Sequence, residues 1–341
     1  MDLSPRKQKI LASVVKSYTR FGEPVGSKHI ADEIGVSSAT VRNEMADLIE
    51  MGLLEQPHTS AGRIPSQQGY REYINRVMEP QELSPELKMY FDAVLSKAAF
   101  DREKVLLSAV SALADASKFA AVATTPSGRK ARITAVQFVQ ISRRTAMLIL
   151  MSSAGTMKTK VFHCEFDLTA EIMRIFFRVF NERVTGRAVA DITPPFIQTL
   201  AISFGELTML MSSALMALLE TAKETMQSEV ISSGRMNLLL YPEYTSGDVR
   251  RIAEALEDSE LMSELLPGRP GRVNVLLGTE TGRPEFRESA LITTRYSING
   301  KDAGGIALAG PMRMNYPLVV SCLSYVAEYT EKNLTMLMQE E

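Results

Sequence analysis

Between residues 37 and 63 the chain gathers side chains suited to recognition chemistry. Ser37, Ser38, Ala39, Thr40, Arg42 and Asn43 stand together, and His58, Thr59, Ser60 and Arg63 follow after an apolar stretch. An asparagine amide can pair with two polar atoms on the major-groove edge of adenine, and an arginine fork can do the same with guanine. Short hydroxyl side chains and a histidine suit phosphate oxygens. Alanine at 39 and 46 lets a helix sit close to base edges. The chemistry implied is the reading of duplex DNA rather than bond making.

Little else in the chain suggests catalysis. It contains no HExxH, no CxxC, no nucleophile elbow and no phosphate-binding loop. Gly268 and Gly271 lie in LPGRPGR, which reads as a turn, and Gly304, Gly305 and Gly310 merely flank a strand. His29, His58 and His163 are too scattered for a zinc site, and His163 beside Cys164 has poor chelate spacing. We expect no enzyme activity, no cofactor and no metal. Arg313, Asn315 and Tyr316 precede a helix. They could hold an anion at its N-terminus, or serve capping and packing.

The elements that must position residues 37–63 are legible. Ser4 and Pro5 announce a first helix, with Ile10, Leu11, Val14, Val15 and Tyr18 as its buried stripe and Gly22 as its end. Gly26 or Ser27 starts a second helix, which Gly35 closes. Ser37 or Ser38 caps the third. At about 100° per residue, Val41, Met45 and Leu48 fall on one line, opposite Ala39, Asn43, Ala46 and Glu50. Leu53–Leu54 and Arg63–Ile64 read as two strands of a wing tipped by residues 59–62, which a β-branched residue at Gly62 would distort if the backbone there needs positive φ. Ser66 caps a fourth helix to about Met78. This is a winged helix-turn-helix, sized for the major groove.

Residues 1–80 carry ten Lys and Arg against ten Asp and Glu, so this module is not basic overall. Positive charge must be local, from Arg6, Lys7, Lys9, Lys28, Arg42 and Arg63, and binding to random DNA should be weak.

The whole chain has 341 residues, net charge −2 and 23% charged residues, as in an ordinary soluble protein of two or three domains. Its first residues lack the apolar core of a signal peptide. Its two cysteines, Cys164 and Cys322, suggest no bridge and a reducing, cytoplasmic setting. After a linker near Pro80, helices are expected over 85–97 and 101–119, then an antiparallel meander over 133–141, 145–151 and 157–163. There Lys158 and Lys160 give the last strand a wet face. A helix follows over 168–184. Residues 192–219 are nearly charge-free and read as a helix too apolar for one face but too polar to span a membrane. Met209, Met211 and Met216 within it are expected at a homodimer contact, against the alternative of a wholly internal helix. Strands are expected at 235–240, 272–277, 289–298 and 304–309, with a tight turn at Asn299–Gly300. Helices are expected at 246–266 and 317–338.

The segment VSSATVRNEMADLIEMGLLEQPHTSAGRIPSQQGYREYI closely resembles the N-terminal region of the bacterial heat-inducible transcription repressor HrcA family. GPMRMNY at 310–316 resembles that family's C-terminal GPTRMDY element, with Met312 for Thr and Asn315 for Asp. The resemblance implies an α+β multidomain fold: a winged helix-turn-helix over 1–80, a GAF-like α/β domain over 81–130 and 228–341, and an inserted dimerisation domain of antiparallel sheet and helices over 131–227. It also implies a homodimeric repressor of heat-shock (chaperone) genes on an inverted-repeat operator, supported by a GroE-type chaperonin. The competing readings are a regulator switched by a small molecule in the GAF-like domain, and an enzyme bearing a DNA-binding head.

Overall fold

The first helix, α1 (Pro5–Phe21), begins where Ser4 accepts a hydrogen bond from the Lys7 N–H at 3.3 Å and Pro5 occupies the first turn. It ends at Gly22, whose φ of 70° is the left-handed cap that glycine takes without a Cβ penalty. The structure is a computed structural model describing residues 3–58, 61–79, 81–98, 102–204, 208–266 and 268–339. Gly26 caps α2 (Ser27–Ile34), Gly35 closes it, and Ser37 caps α3 (Ser38–Glu50). Ile10, Leu11, Val14, Ile30, Val41 and Leu48 are fully buried where the three helices meet.

The wing is short. β1 (Leu54–Glu55) pairs antiparallel with β2 (Ile64–Pro65), and a backbone bridge joins Arg63 to Val25, ahead of α2. Gly62 does not need positive φ. Glycine is required there because a Cβ would lie 2.5 Å from the backbone carbon and oxygen of Val25. Ser66 then caps α4 (Gln67–Glu72), which relaxes into a π-helical turn over Tyr73–Val77.

The chain folds as two compact units, residues 1–123 with 230–341, and residues 124–229. The first unit adds α5 (Pro85–Leu95), α6 (Arg102–Ser117) and β3 (Ala120–Thr124), then β7 (Val230–Ser233), α10 (Ser246–Glu257), α11 (Ser259–Leu265), β8 (Asn274–Leu277), β9 (Ser289–Ile298), β10 (Lys301–Pro311) and α12 (Tyr316–Gln339). Its five-stranded sheet runs β7-β3-β10-β9-β8. Both faces are covered. One packs under α6 and α12 in a core that continues into the three-helix head. The other packs under α10 and α11 through Leu256, Met262, Leu266 and Phe286, all buried.

Three expectations in this unit need correction. Ala120–Thr124 is a strand, where no element was expected between the helix over 101–119 and the meander. Arg235–Leu240 is a 3-10 segment; the strand precedes it, and Gly234 at φ 71° turns the chain out of the sheet. The helix expected over 246–266 breaks at Asp258, whose carboxylate accepts from the Glu260 and Leu261 N–H groups and so caps a second helix.

The second unit contains the meander β4 (Ile133–Gln140), β5 (Thr145–Ser152) and β6 (Met157–His163), with α7 (Ala170–Val184), α8 (Pro194–Ile202) and α9 (Thr208–Met226). Phe138, Phe162, Phe176 and Phe180 pack ring on ring between β4, β6 and α7. The single helix expected over 192–219 is two helices, α8 and α9. Lys158 and Lys160 are not the wet face of β6. Lys160 pairs with Glu220 at 2.9 Å and Glu224 at 3.4 Å on α9, and Lys158 pairs with Glu229. Met157, Thr159 and Val161 face solvent instead.

Candidate nucleic-acid interface

The interface is built on α3. Its aliphatic row is interred, with Val41 and Leu48 at 0% exposure and Met45 at 3%. Ala39, Arg42, Asn43 and Ala46 are exposed on the other side. Among the described residues neither Arg42 nor Asn43 has a side-chain bond to hold it back. The exposed edge is therefore an amide and a guanidinium flanked by methyl groups.

The hydroxyls at the helix start are partly spoken for. Ser37 accepts from the Thr40 N–H at 3.1 Å, and its Oγ lies 2.8 Å from Thr40 Oγ1. Ser38 Oγ lies 3.0 Å from Ser27 Oγ, which ties α3 to α2. Ser37 is exposed, whereas Ser38 and Thr40 are half-buried. Ser37 and Thr40 thus set the helix start, where the free N–H groups and the dipole favour a phosphate.

On the wing, His58 is exposed and its carbonyl accepts from the Ala61 N–H at 2.9 Å. Arg63 is half-buried: its Nη1 donates to the Ala61 carbonyl at 3.0 Å, while its Nε is buried without a partner. Thr59 and Ser60 lie outside the described residues.

Charge around the site differs from the sequence expectation in one respect. Lys7 Nζ is 2.8 Å from both Glu44 Oε2 and Asp47 Oδ2 on the flank of α3, and Arg6 is 3.6 Å from Glu44. Hydrogen bonds to Asp47 and then Glu44 raise the Lys7 pKa above its ordinary value. Two of the cations expected to face DNA are thus engaged in neutralising acids on the recognition helix. Lys9, Lys28 and Arg42 remain exposed.

The methionines singled out on α9 separate. Met209 is 87% and Met216 52% exposed, but Met211 is buried in the core of its own unit. Helical spacing puts Met211 on the inward line with Leu215 and Leu218, so it is corrected from contact surface to core. The sequence reading missed the outer face of the meander. Across it Val139 pairs with Met147, Met147 with Val161, and Met151 with Met157. Val139, Met151, Met157 and Val161 are exposed there.

Arg313 and Tyr316 serve packing: Arg313 pairs with Glu243 and lies over the Tyr241 ring, and Tyr316 is buried. Among the described residues no group of three or more His, Cys, Asp or Glu could hold a metal, and no helix is long and apolar enough to cross a membrane. Cys164 and Cys322 are free and buried.

Comparison with known proteins agrees with this geometry. A family model described as the winged helix-turn-helix transcription repressor HrcA DNA-binding domain matches residues 2–79, and one described as the HrcA protein C terminal domain matches residues 103–320. The chain is 34% identical to the heat-inducible transcription repressor HrcA of Moorella thermoacetica, covering 99% of each. It is 30% identical to that of Acetivibrio thermocellus, over 100% of this chain and 99% of the relative. A crystal structure described as that of a hypothetical protein at 2.2 Å resolution aligns with TM-score 0.68 and 24% identity, over 98% of this chain and 100% of the other, which shows a shared fold.

Proposed function

The chain belongs to the HrcA family of heat-inducible transcription repressors, and on that premise we propose how this heat-shock repressor reads DNA. Each protomer lays α3 in a major groove, with Asn43 and Arg42 at base edges and Ala39 and Ala46 allowing close approach. Ser37, Ser38 and Thr40 start that helix at the phosphates, and the wing places His58 and Arg63 on the flanking backbone. The observation that carries this reading is the exposed amide and guanidinium on α3 opposite a fully buried aliphatic row.

The repressor acts in the bacterial cytoplasm as a homodimer on an inverted repeat ahead of chaperone genes. A two-fold dimer and a palindromic site imply one another. We divide the chain into the DNA head at 1–80, a GAF-like domain at 81–130 and 228–341, and a dimerisation insert at 131–227. The exposed apolar face of Val139, Met151, Met157 and Val161, together with Met209 and Met216, supports contact between two inserts. Val161→Glu with Met157→Glu should yield monomers by sedimentation and weaken binding to a full operator.

Activity depends on a GroE-type chaperonin. Exposed Ile202, outside the contact between inserts, gives that partner an apolar side chain to grip. Footprinting upstream of the repressor and chaperonin genes, with and without chaperonin, tests the whole reading. Loss of protection in Asn43→Ala supports it, and protection indifferent to α3 refutes it.

A further inference from the structure

The head is joined to the rest of its unit by one short stretch of chain between the π-helical turn and α5. A single tether leaves a head free to swivel. Here the head also shares an apolar core with the sheet, and two side-chain clusters, one on α4 and one at the end of α1, fix its orientation on that core.

The first cluster is on α4. Arg71 Nε donates to Glu280 Oε1 at 2.9 Å, its Nη2 reaches Glu280 Oε2, and the same Nη2 donates to the Val275 carbonyl at 2.6 Å. Glu280 is itself fixed, because it accepts from the Leu277 N–H at 2.9 Å. One turn earlier, Gln67 Nε2 donates to Thr279 Oγ1 at 3.0 Å. The bidentate fork fixes direction as well as distance.

The second cluster meets the end of α1. Arg313 is held by Glu243, and a Cβ at Gly22 would lie 3.4 Å from the Arg313 Cζ. The guanidinium therefore rests on the C-terminal turn of α1, where the negative end of the helix dipole favours a cation. Thr19 Oγ1 donates to the Met314 carbonyl at 3.4 Å. Between the clusters the Tyr70 and Tyr316 rings meet at a 59° tilt, with centroids 5.8 Å apart. Arg313, Met314 and Tyr316 all come from the GPMRMNY element, which DNA contact leaves unexplained.

We propose that Arg71 and Arg313 are positioning residues for operator recognition: they lock each winged-helix head to the five-stranded sheet and thereby set the distance between the two recognition helices of a dimer. This rests on the homodimer reading above. Neither arginine touches DNA. Their effect is to make binding depend on the spacing between half-sites, because a locked head fits one spacing and a swivelling head fits several.

The test measures binding of full-length wild type, Arg71→Ala, Arg313→Ala and Arg71→Lys to operators whose half-sites are moved apart or together by one and two base pairs, with thermal melting alongside. Wild type should prefer one spacing. Both alanine variants should lose about tenfold of that preference, the usual scale of coupling between two sites. They should keep their choice of half-site bases and their cooperative melting. Arg71→Lys, with its charge but no fork, should fall between. An equal loss at every spacing, or an unchanged preference, overturns the proposal while leaving the dimer reading intact. A wild type indifferent to spacing overturns the proposal, whereas sedimentation of the same wild type as a monomer overturns the dimer reading on which it rests. If Arg71→Ala does not fold, Glu280→Gln breaks the same fork from the other side and is judged by the same outcomes.

Discussion

Val25 and Arg63 exchange backbone hydrogen bonds in both directions, each at 2.8 Å. This bridge fastens the wing to the segment ahead of α2, whose first residue Ser27 in turn bonds Ser38 at the start of α3. The approach is so close that residue 62 has no room for a side chain.

Gly62→Ala should therefore distort the wing although its backbone angles are ordinary. Overpacking of this kind costs about 1–3 kcal/mol. Chemical denaturation should show the loss, and operator affinity should fall with it. Gly69→Ala is the sharper case, since its Cβ would lie 2.0 Å from the Leu53 carbonyl oxygen. Stability equal to wild type in both variants would show that the head yields easily here.

Asn43→Ala or Arg42→Ala should cost about 1–3 kcal/mol on the operator and relax base preference at one position of each half-site. Arg63→Ala should weaken all sequences alike and lower the slope of affinity against salt by about 1. Titrations on operator and scrambled duplexes at several salt concentrations separate the two patterns. With Lys7 and Arg6 engaged by Glu44 and Asp47, the scrambled duplex should bind weakly even to wild type.

Tyr70→Phe should leave the first unit as stable as wild type or more so. The Tyr70 hydroxyl is buried without a hydrogen-bond partner, and such a group costs roughly 1–3 kcal/mol. Burial also pushes its pKa well up, so it stays neutral and adds no charge to the seam. A lower melting temperature in the variant would mean that the hydroxyl has a use.

The Arg71–Glu280 fork should weaken in acid. Burial alone would raise the Glu280 pKa, but Arg71 and the Leu277 N–H outweigh it and hold the carboxyl below its ordinary value. A carboxylate depressed in the folded state favours folding fully above its unfolded pKa of about 4.3, and loses that favour as the pH falls through the lower folded value. Glu280→Gln should therefore be less stable than wild type at neutral pH, by at most about 1 kcal/mol for a pair this exposed. The gap should close in stronger acid, and a gap independent of pH would remove the ion pair as its cause.

The head was readable from sequence because its signals are local. Ser4, Gly22, Gly35 and Ser37 each act within four residues of themselves, and Val41, Met45 and Leu48 are a plain helical row. Long-range pairing was not readable. Lys158 and Lys160 look like a solvent face until α9 brings Glu220 and Glu224 over them. Arg71 finds Glu280 across 209 residues of sequence. Ala120–Thr124 hides as a strand because its alanines carry little β preference and continue an apolar helix. Gly62 was noticed, but its reason was not, since close approach to Val25 is a tertiary fact. The composition of 192–219 signalled apolar surface correctly, yet one residue's phase on α9 decides that Met211 is inside while Met209 is outside.

The most direct measurement is a footprint of the full-length protein upstream of the chaperonin genes, run beside Asn43→Ala and Arg42→Ala. Two major-groove patches related by a two-fold axis should be protected, and both should fade in the variants while folding is unchanged. Protection that survives both substitutions at full strength would contradict the assignment of α3 as the reading helix.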